Sequence, residues 1–245
     1  MSATPEIGLN ILSIVKGFLM DMIYYFFSIV IPSRKLWRIN KDSEITICLA
    51  STRTQTGQYI RLSTGIGQVV ALSFISRSLY NAYKTKEPHI YLSDDSIGDE
   101  LENDLILLGS PKTNSITARF FQELERDEPD TNDRVWQDNN GIIHLKDGGQ
   151  ETIFKGEICD NVIKHDFGLI LVKKNIFSTH ENRKLFLFSG SHTYGTAAAA
   201  KYFCKVHANK IKFPFFNVSK KDYIAIVSCD VVDGDVINIR LEFTK

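Results

Sequence analysis

The chain has 245 residues, 43% of them hydrophobic, which is enough for one large α/β domain with an attached segment. Its 29 basic and 29 acidic residues cancel, so the composition argues against a protein that binds nucleic acid specifically. The cysteines Cys48, Cys159, Cys204 and Cys229 form no CxxC pair and have no histidine at metal-ligand spacing. We therefore expect free thiols, no metal site and a cytosolic compartment.

The first feature along the chain is an apolar stretch from Leu9 to Ile31, interrupted by Asn10, Lys16 and Asp21. It is long enough to cross a bilayer. A charge such as Asp21 near the midpoint costs roughly 3 kcal/mol, and the apolar side chains offset Asp21 and Lys16 together only narrowly. Three hypotheses remain open: a membrane span, an amphipathic helix in the membrane plane, or a helix packed on its own domain or on a partner.

The segment after this stretch decides our preference. Residues 32–38, PSRKLWR, place three cations around Trp37 directly behind the apolar residues. Cations beside an interfacial tryptophan are typical of the cytoplasmic end of a membrane anchor. We therefore predict an anchor-like helix with a basic flank over residues 1–38, membrane contact through residues 9–31, and a cytoplasmic domain over residues 39–245. A soluble cytoplasmic protein is the alternative.

Short apolar runs and helical periodicity alternate through the rest of the chain. The pattern predicts an α/β fold, in which helices pack on one mostly parallel sheet. The predicted strands lie near residues 45–50, 88–93, 105–109, 168–172 and 185–189. The predicted helices lie at residues 68–83, 115–126 and 194–209. Asn114 or Ser115 can cap the second helix.

Turn signals predict two antiparallel additions to this sheet. Asn139-Asn140-Gly141 and Asp147-Gly148-Gly149 indicate a β-hairpin insertion within about residues 127–165. Asp233-Gly234 separates two alternating segments near the C-terminus and predicts a final antiparallel hairpin at the sheet edge. Residues 52–63 are interpreted as a polar connection.

The most informative stretch is a strand, a turn of small polar residues and a helix. Leu185–Phe188 is fully apolar, residues 189–196 form the turn, and the alanines 197–200 begin the helix. This order directs free backbone N–H groups near Gly195 and Thr196, together with the positive helix end, towards one point. Such a point suits phosphate, carboxylate or ribose oxygens, although a connection that binds nothing is the alternative.

A second loop repeats this design at residues 109–114, GSPKTN. Loops at the carboxyl ends of parallel strands share one edge of a sheet, where ligands usually bind. We therefore predict one cleft lined by residues of both loops, with Lys112 supplying a balancing charge and two residues approaching from the first loop. The predicted ligand-binding residues are Thr54, Gly65, Gly109, Lys112, Asn114, Thr193, Gly195 and Thr196.

His192 is the best candidate for acid–base catalysis, because it lies in the central loop beside Thr193 and Thr196. The alternative is a loop histidine whose hydrogen bonds are satisfied. The acidic run from Asp94 to Glu102 is interpreted as a solvated face rather than a metal site. No cofactor can be identified, since the chain has neither GxGxxG nor GxxxxGK[ST].

The small residues of both loops follow a recognisable pattern, formed by Gly109, Ser110, Pro111 and Asn114 and later by Gly190, Gly195, Thr196 and Ala199. This pattern resembles a Rossmann-like domain of bacterial signalling and defence proteins and archaeal surface-layer proteins. In that domain one strand ends in Gly-Gly-Pro followed by Asn, and a later strand runs into Gly-Thr and alanines. Ser110 replaces the second glycine here.

The resemblance covers about residues 104–205 and implies a three-layer Rossmann-like α/β domain. A looser similarity to nucleoside deoxyribosyltransferase-type and TIR-type folds implies cleavage of N-glycosidic bonds with a glutamate, for which Glu123 is the nearest candidate. Our leading hypothesis is a membrane-associated cytosolic module that binds a nucleotide-like small molecule and signals to an effector partner or a second copy. A nucleotide- or glycoside-cleaving enzyme is the alternative, and a structural or assembly protein is the third hypothesis.

Overall fold

The computed structural model describes residues 6–84, 87–95, 97–127, 134–207 and 222–245. The helices of this part are α1 (Glu6–Tyr25), α2 (Ile31–Trp37), α3 (Ile66–Tyr83), α4 (Ser115–Asp127) and α5 (Thr193–Lys201). Its strands before the insertion are β1 (Ile45–Leu49), β2 (Thr52–Thr56), β3 (Tyr59–Ser63), β4 (His89–Leu92) and β5 (Asp104–Leu108). The later strands are β6 (Arg134–Gln137), β7 (Ile143–Asp147), β8 (Gln150–Phe154), β9 (Glu157–Cys159), β10 (Val162–Lys174), β11 (Lys184–Gly190), β12 (Tyr223–Val232) and β13 (Asp235–Thr244).

The central sheet is mixed, in the order β13-β12-β10-β11-β5-β1-β4, with β9 paired to β10. Strands β4, β1, β5 and β11 are parallel, whereas β10, β12 and β13 pair antiparallel. The predicted α/β class and the four strands placed in one sheet are confirmed. The prediction of a mostly parallel sheet is wrong for residues 168–172, because β10 runs antiparallel to β11. Residues 175–183 are too few for a parallel crossover, which needs roughly a dozen or more.

Both faces of this sheet are buried, which gives a three-layer arrangement. Ile106 and Leu108 face a cluster formed with α2, α3 and α5. Leu105 and Leu107 face the opposite cluster, formed with α4 and the small sheet β6-β7-β8. The sequence of β5 shows no alternation of apolar and polar residues, because both of its faces pack against protein.

Several connections differ from their predicted form. The expected polar connection at residues 52–63 is the β2–β3 hairpin, turning at Gly57 with φ +60°. The expected hairpin insertion is a three-stranded sheet, and residues 128–133 lie outside the described part. The predicted C-terminal hairpin is confirmed, with β13 at the sheet edge and positive φ at Asp233 and Gly234. The last two residues of the predicted helix 194–209 also lie outside the described part.

The N-terminal helices are joined through the helical turn Phe26–Val30. The stretch Ser13–Trp37 is long and apolar enough to cross a membrane, and only 6% of its most apolar window is buried. Large side chains such as Ile14, Phe18 and Phe27 are 63–69% exposed. From Val30 onwards the helix enters the domain, where Val30 is 4% exposed.

Trp37 lies in the domain core and not at a membrane interface, which corrects the expectation from its cationic neighbours. It is fully buried, its ring centroid lies 4.9 Å from that of Phe186 and 5.3 Å from that of Phe203, and its Nε1 donates a 2.9 Å hydrogen bond to Ser78 Oγ. Arg34 Nε donates a 2.7 Å hydrogen bond to the carbonyl of Ala82 at the end of α3. The base of the N-terminal helix is therefore part of the domain.

Trp37→Ala should lower the free energy of unfolding by about 3–5 kcal/mol, because it leaves a large cavity among packed aromatic rings. Trp136 is the matched control, since it is only half-buried and stacks at 4.9 Å on His144 in the small sheet. Trp136→Ala should cost clearly less. Chemical denaturation followed by far-UV circular dichroism measures both, and equal losses would contradict the core position of Trp37.

Candidate functional site

A cleft of about 300 Å³ opens where β1, β5 and β11 end. The chain leaves β1 towards α3 on one face of the sheet and leaves β5 towards α4 on the other. Such a switch point leaves a crevice outside the carboxyl ends of the strands. The cleft is lined by Ala50, Thr52, Ser63, Thr64, Gly65, Gln68, Gly109, Ser110, Lys112, Thr113, Ile163, Gly190, Ser191, His192, Thr193 and Thr196.

Most of the predicted site residues come together here. The structure places Gly65, Gly109, Lys112, His192, Thr193 and Thr196 in the lining of this one cleft. The parallel pairing of β1 with β5 and of β5 with β11 brings their three following loops to one edge. Thr54, Asn114 and Gly195 are outside the lining, each for a different reason.

Asn114 is fully buried behind the wall of the cleft. Its Oδ1 accepts hydrogen bonds from the backbone N–H groups of Ile116 and Thr117, both at 3.0 Å, so it caps α4. Its Nδ2 donates to the carbonyls of Leu108 at 3.0 Å and Cys48 at 3.3 Å. Asn114 therefore joins two strand ends to α4 and has no donor left for a ligand.

Thr54 projects from the exposed β2–β3 hairpin, where its hydroxyl bonds to Ser63 Oγ. Thr52 and Ser63 pair at the base of the hairpin and line the cleft. Thr54 lies on the same face two residues further along β2, where it pairs with Arg61 and is outside the lining.

Gly195 lies beneath the cleft, and its N–H group donates to Asp166 Oδ2. Asp166 Oδ1 accepts two further backbone hydrogen bonds, from Phe167 at 2.9 Å and from His192 at 3.0 Å. The expected anion-binding N–H at Gly195 is thus taken by an anion of the chain itself. The antiparallel direction of β10 produces this contact, because it carries Asp166 to the start of α5.

Asp166 is fully buried. Burial raises the pKa of its carboxyl, and the three donated hydrogen bonds together with the neighbouring His192 oppose that rise. Glycine at position 195 is required by the close approach of these elements, since a Cβ there would lie 2.0 Å from the carbonyl oxygen of Phe167. The small residues of this turn therefore serve packing of α5 on the sheet.

The start of α3 is capped from α5. Gly67 N–H donates a 3.0 Å hydrogen bond to Thr193 Oγ1, and a Cβ on Gly67 would lie 1.8 Å from the carbonyl oxygen of Thr193. The two helices can meet this closely only because residue 67 is a glycine. Gly65 and Gly67 bring the backbone close to Thr193, whereas the sequence suggested a close approach to a ligand.

Three polar side chains of the cleft have atoms without a hydrogen-bond partner in the described part of the chain. Gln68 is 6% exposed, and its Oε1 accepts from Thr64 Oγ1 at 2.7 Å while its Nε2 faces Gly109 without an acceptor. The hydroxyls of Thr196, 2% exposed, and Ser110, 9% exposed, likewise contact no partner. These three atoms are not sealed inside the protein, as the Thr117 hydroxyl and His192 Nε2 are, and their residues line the cleft, so polar ligand atoms can reach them.

Charges at the cleft are sparse. Lys112 is exposed at the rim and makes no ion pair within the described residues. No Asp or Glu is among the described residues that line the cleft. Across the whole described part, no group of three or more His, Cys, Asp or Glu side chains is placed to hold a metal ion.

His192 lines the cleft, but its Nε2 is buried without a partner. The ring packs against Gly156, where a Cβ would lie 2.6 Å from His192 Cδ2. Glu123 is outside the lining and forms a 2.9 Å ion pair with Arg126 on α4. The glutamate that the looser family similarity implies is therefore not at this cleft.

The sequence analysis missed Asp166 and Gln68 and treated Ser110 only as a replaced glycine. Asp166 carried a signal, because it is a carboxylate at the entry of the apolar run FGLILV. Gln68 follows the segment Gly65-Ile66-Gly67 at the start of α3, which is also a readable signal. Neither signal identifies a partner, since Asp166 contacts a helix that begins 27 residues later.

Comparison with protein-family models, with curated proteins and with solved structures gives no match for this chain. The similarity to a Rossmann-like domain stays a prediction.

Asp166→Ala should lower the free energy of unfolding by about 3 kcal/mol, because three N–H groups around a fully buried carboxylate lose their acceptor at about 1–3 kcal/mol each, and those of Phe167 and His192 are partly buried. Asp138 is the control, since it also accepts backbone hydrogen bonds, from Asn140 and Ile142, but in a partly exposed turn where water can replace it. Asp138→Ala should cost about 1 kcal/mol. Urea denaturation measures both variants, and a loss for Asp166→Ala no larger than for Asp138→Ala would contradict this role.

Proposed function

We propose that this chain is a membrane-associated nucleotide-binding module that faces the cytoplasm. The observation that carries the proposal is the set of polar groups that Gln68, Ser110 and Thr196 present to the cleft at the carboxyl edge of the sheet, without a hydrogen-bond partner in the described part of the chain. A cleft of about 300 Å³ is at the lower end of ligand pockets, which suits a molecule of mononucleotide size.

The chemistry of the cleft matches the parts of a nucleotide. Gln68 Nε2 is a donor for a carbonyl or ring nitrogen of a base, and the hydroxyls of Ser110 and Thr196 both donate and accept, as ribose hydroxyls require. Lys112 at the rim, which has no ion pair in the described part of the chain, supplies a cation for a phosphate. The starts of α3, α4 and α5 are capped by Thr193, Asn114 and Asp166, so recognition depends on side chains.

Membrane association is supported by the exposed apolar side chains along residues 14–27. A soluble chain rarely exposes contiguous apolar surface beyond a few hundred Å², and such a patch marks a membrane or protein contact. The low burial of this helix argues against its being a core helix of the domain. Helix packing on a partner is the remaining alternative.

A signalling role is supported by the path of α3. The helix begins at the cleft with Gln68 and ends at Tyr83, whose hydroxyl accepts a 2.9 Å hydrogen bond from the backbone of Ile39. Its 18 residues span about 27 Å. One rigid element thus connects the proposed ligand to the base of the N-terminal helix, through which an effector partner or a second copy would sense binding.

An enzyme that cleaves a nucleotide or glycoside is the second candidate, because His192 lines the cleft. Acid–base catalysis would require the ring to turn so that a nitrogen reaches the ligand. A structural or assembly role stays the third hypothesis.

Thr196→Val should weaken binding of the cognate nucleotide by about 1–3 kcal/mol, because it removes one hydroxyl from the cleft lining and keeps the shape of the side chain. Thr117→Val is the matched control, since Thr117 is fully buried on α4 and its hydroxyl also lacks a partner in the described part, but it lies outside the cleft. Calorimetry of the detergent-solubilised chain with a nucleotide panel measures both. If wild type binds no nucleotide of the panel, or if Thr196→Val binds as tightly as wild type, the proposed site is contradicted. Formation of a product would favour the enzyme.

The full chain should float with phosphatidylcholine vesicles, and a chain that begins at Ser28 should stay in the soluble fraction. The truncation removes the exposed apolar residues and keeps Val30 and Trp37, which the core requires. Both forms should bind the same nucleotide. Full-length protein that remains soluble and monomeric without detergent would contradict the membrane anchor, and a soluble complex with a partner would favour the packed-helix alternative.

A further inference from the structure

A second cavity, of about 340 Å³, lies at the base of the N-terminal helix, away from the cleft. It is formed by α2, α3 and the helical turn Tyr202–His207 that continues α5. Its lining includes four polar side chains that could bind a ligand, those of Ser33, Arg77, Asn81 and Lys205.

The polar groups of these side chains form no hydrogen bond or ion pair within the described part of the chain. Ser33 is 7% exposed, and its hydroxyl has no hydrogen-bond partner among the described residues. The amide of Asn81 and the guanidinium of Arg77 likewise make no hydrogen bond or ion pair in the described part of the chain. Lys205 Nζ lies 4.8 Å from the ring centroid of Phe74, which leaves its N–H groups available. Two cations, a hydroxyl and an amide around one cavity form a donor set for an anionic oxygen group.

The surroundings of the cavity strengthen this preference. The whole chain has zero net charge, yet residues 31–39, 66–84 and 193–207 contain no Asp or Glu. The cations of these segments are Arg34, Lys35, Arg38, Arg77, Lys84, Lys201 and Lys205. A surface layer with cations of one sign raises the local concentration of anions.

The depth of the cavity matches the headgroup layer of a bilayer. The exposed apolar stretch ends near Phe27, and Ser33 follows six residues later, which is about 9 Å along a helix. The headgroup layer on each side of a bilayer is about 5–8 Å thick.

We infer that this cavity binds the phosphate headgroup of an anionic phospholipid in the cytoplasmic leaflet. The inference rests on the proposed membrane association and is independent of the nucleotide. A lipid is favoured over a free phosphate because its acyl chains continue along the exposed apolar side chains of residues 14–27.

The test is the melting temperature of the full chain in nanodiscs of phosphatidylcholine alone or with about one third phosphatidylglycerol. The anionic lipid should raise the melting temperature of wild type by at least about 2 °C, the shift for 1 kcal/mol in a chain of this size. Arg77→Ala/Lys205→Ala should abolish this rise. Each variant is compared with itself in the two lipids, so a general loss of stability cancels.

Arg119→Ala/Lys174→Ala is the matched control. Arg119 lies 4.9 Å over the Phe177 ring on the opposite layer, as Lys205 lies 4.8 Å over the Phe74 ring. This double variant should show the same rise in melting temperature as wild type. An equal rise in both double variants, no rise in wild type, or an equal rise from inorganic phosphate in phosphatidylcholine nanodiscs would each overturn the lipid site. Those outcomes leave the anchor standing, whereas failure of the chain to enter phosphatidylcholine nanodiscs overturns both.

Discussion

The cleft depends on the three hydrogen bonds that the buried Asp166 carboxylate accepts from Phe167, His192 and Gly195. They tie the start of α5 to β10 and hold it against β11. With α5 fixed, Thr193 is placed to cap α3 through Gly67. The positions of Gln68 and Thr196 follow from this chain of contacts, because they lie on the first turns of those two helices.

An internal anion at the start of α5 changes what the cleft can recognise. The starts of α3, α4 and α5 all face this edge of the sheet, and each has a cap from the chain itself. These caps neutralise part of the positive electrostatic potential at the helix N-termini. In the proposed function, selectivity would therefore come from the geometry of the neutral groups of Gln68, Ser110 and Thr196, and Lys112 would add a charge that salt screens.

The layer of α2, α3 and α5 links the two polar sites of the molecule. The cleft lies at the start of α3, and the basic cavity lies near its end, beside the helix that carries the exposed apolar residues. Trp37 packs in the same hydrophobic cluster as Phe186 and Phe203, which anchors that helix to the domain. Packed side chains of α3 and α5 thus connect the cleft to the base of the N-terminal helix.

The sequence by itself determined the buried strands, the helices, the final hairpin and the shared edge of the loops at Gly109 and His192, because burial on two faces and parallel connections leave local patterns. Only the tertiary structure decided the direction of β10, and with it the contact of Asp166 with α5. It also separated Asn114 and Gly195 from the cleft lining, since a polar residue in a loop reads the same whether it caps a helix or meets a ligand. Trp37 shows the same limit: an aromatic side chain between an apolar helix and cations is equally suited to lipid and to a protein core, and its partners Phe186 and Phe203 lie about 150 residues away or more.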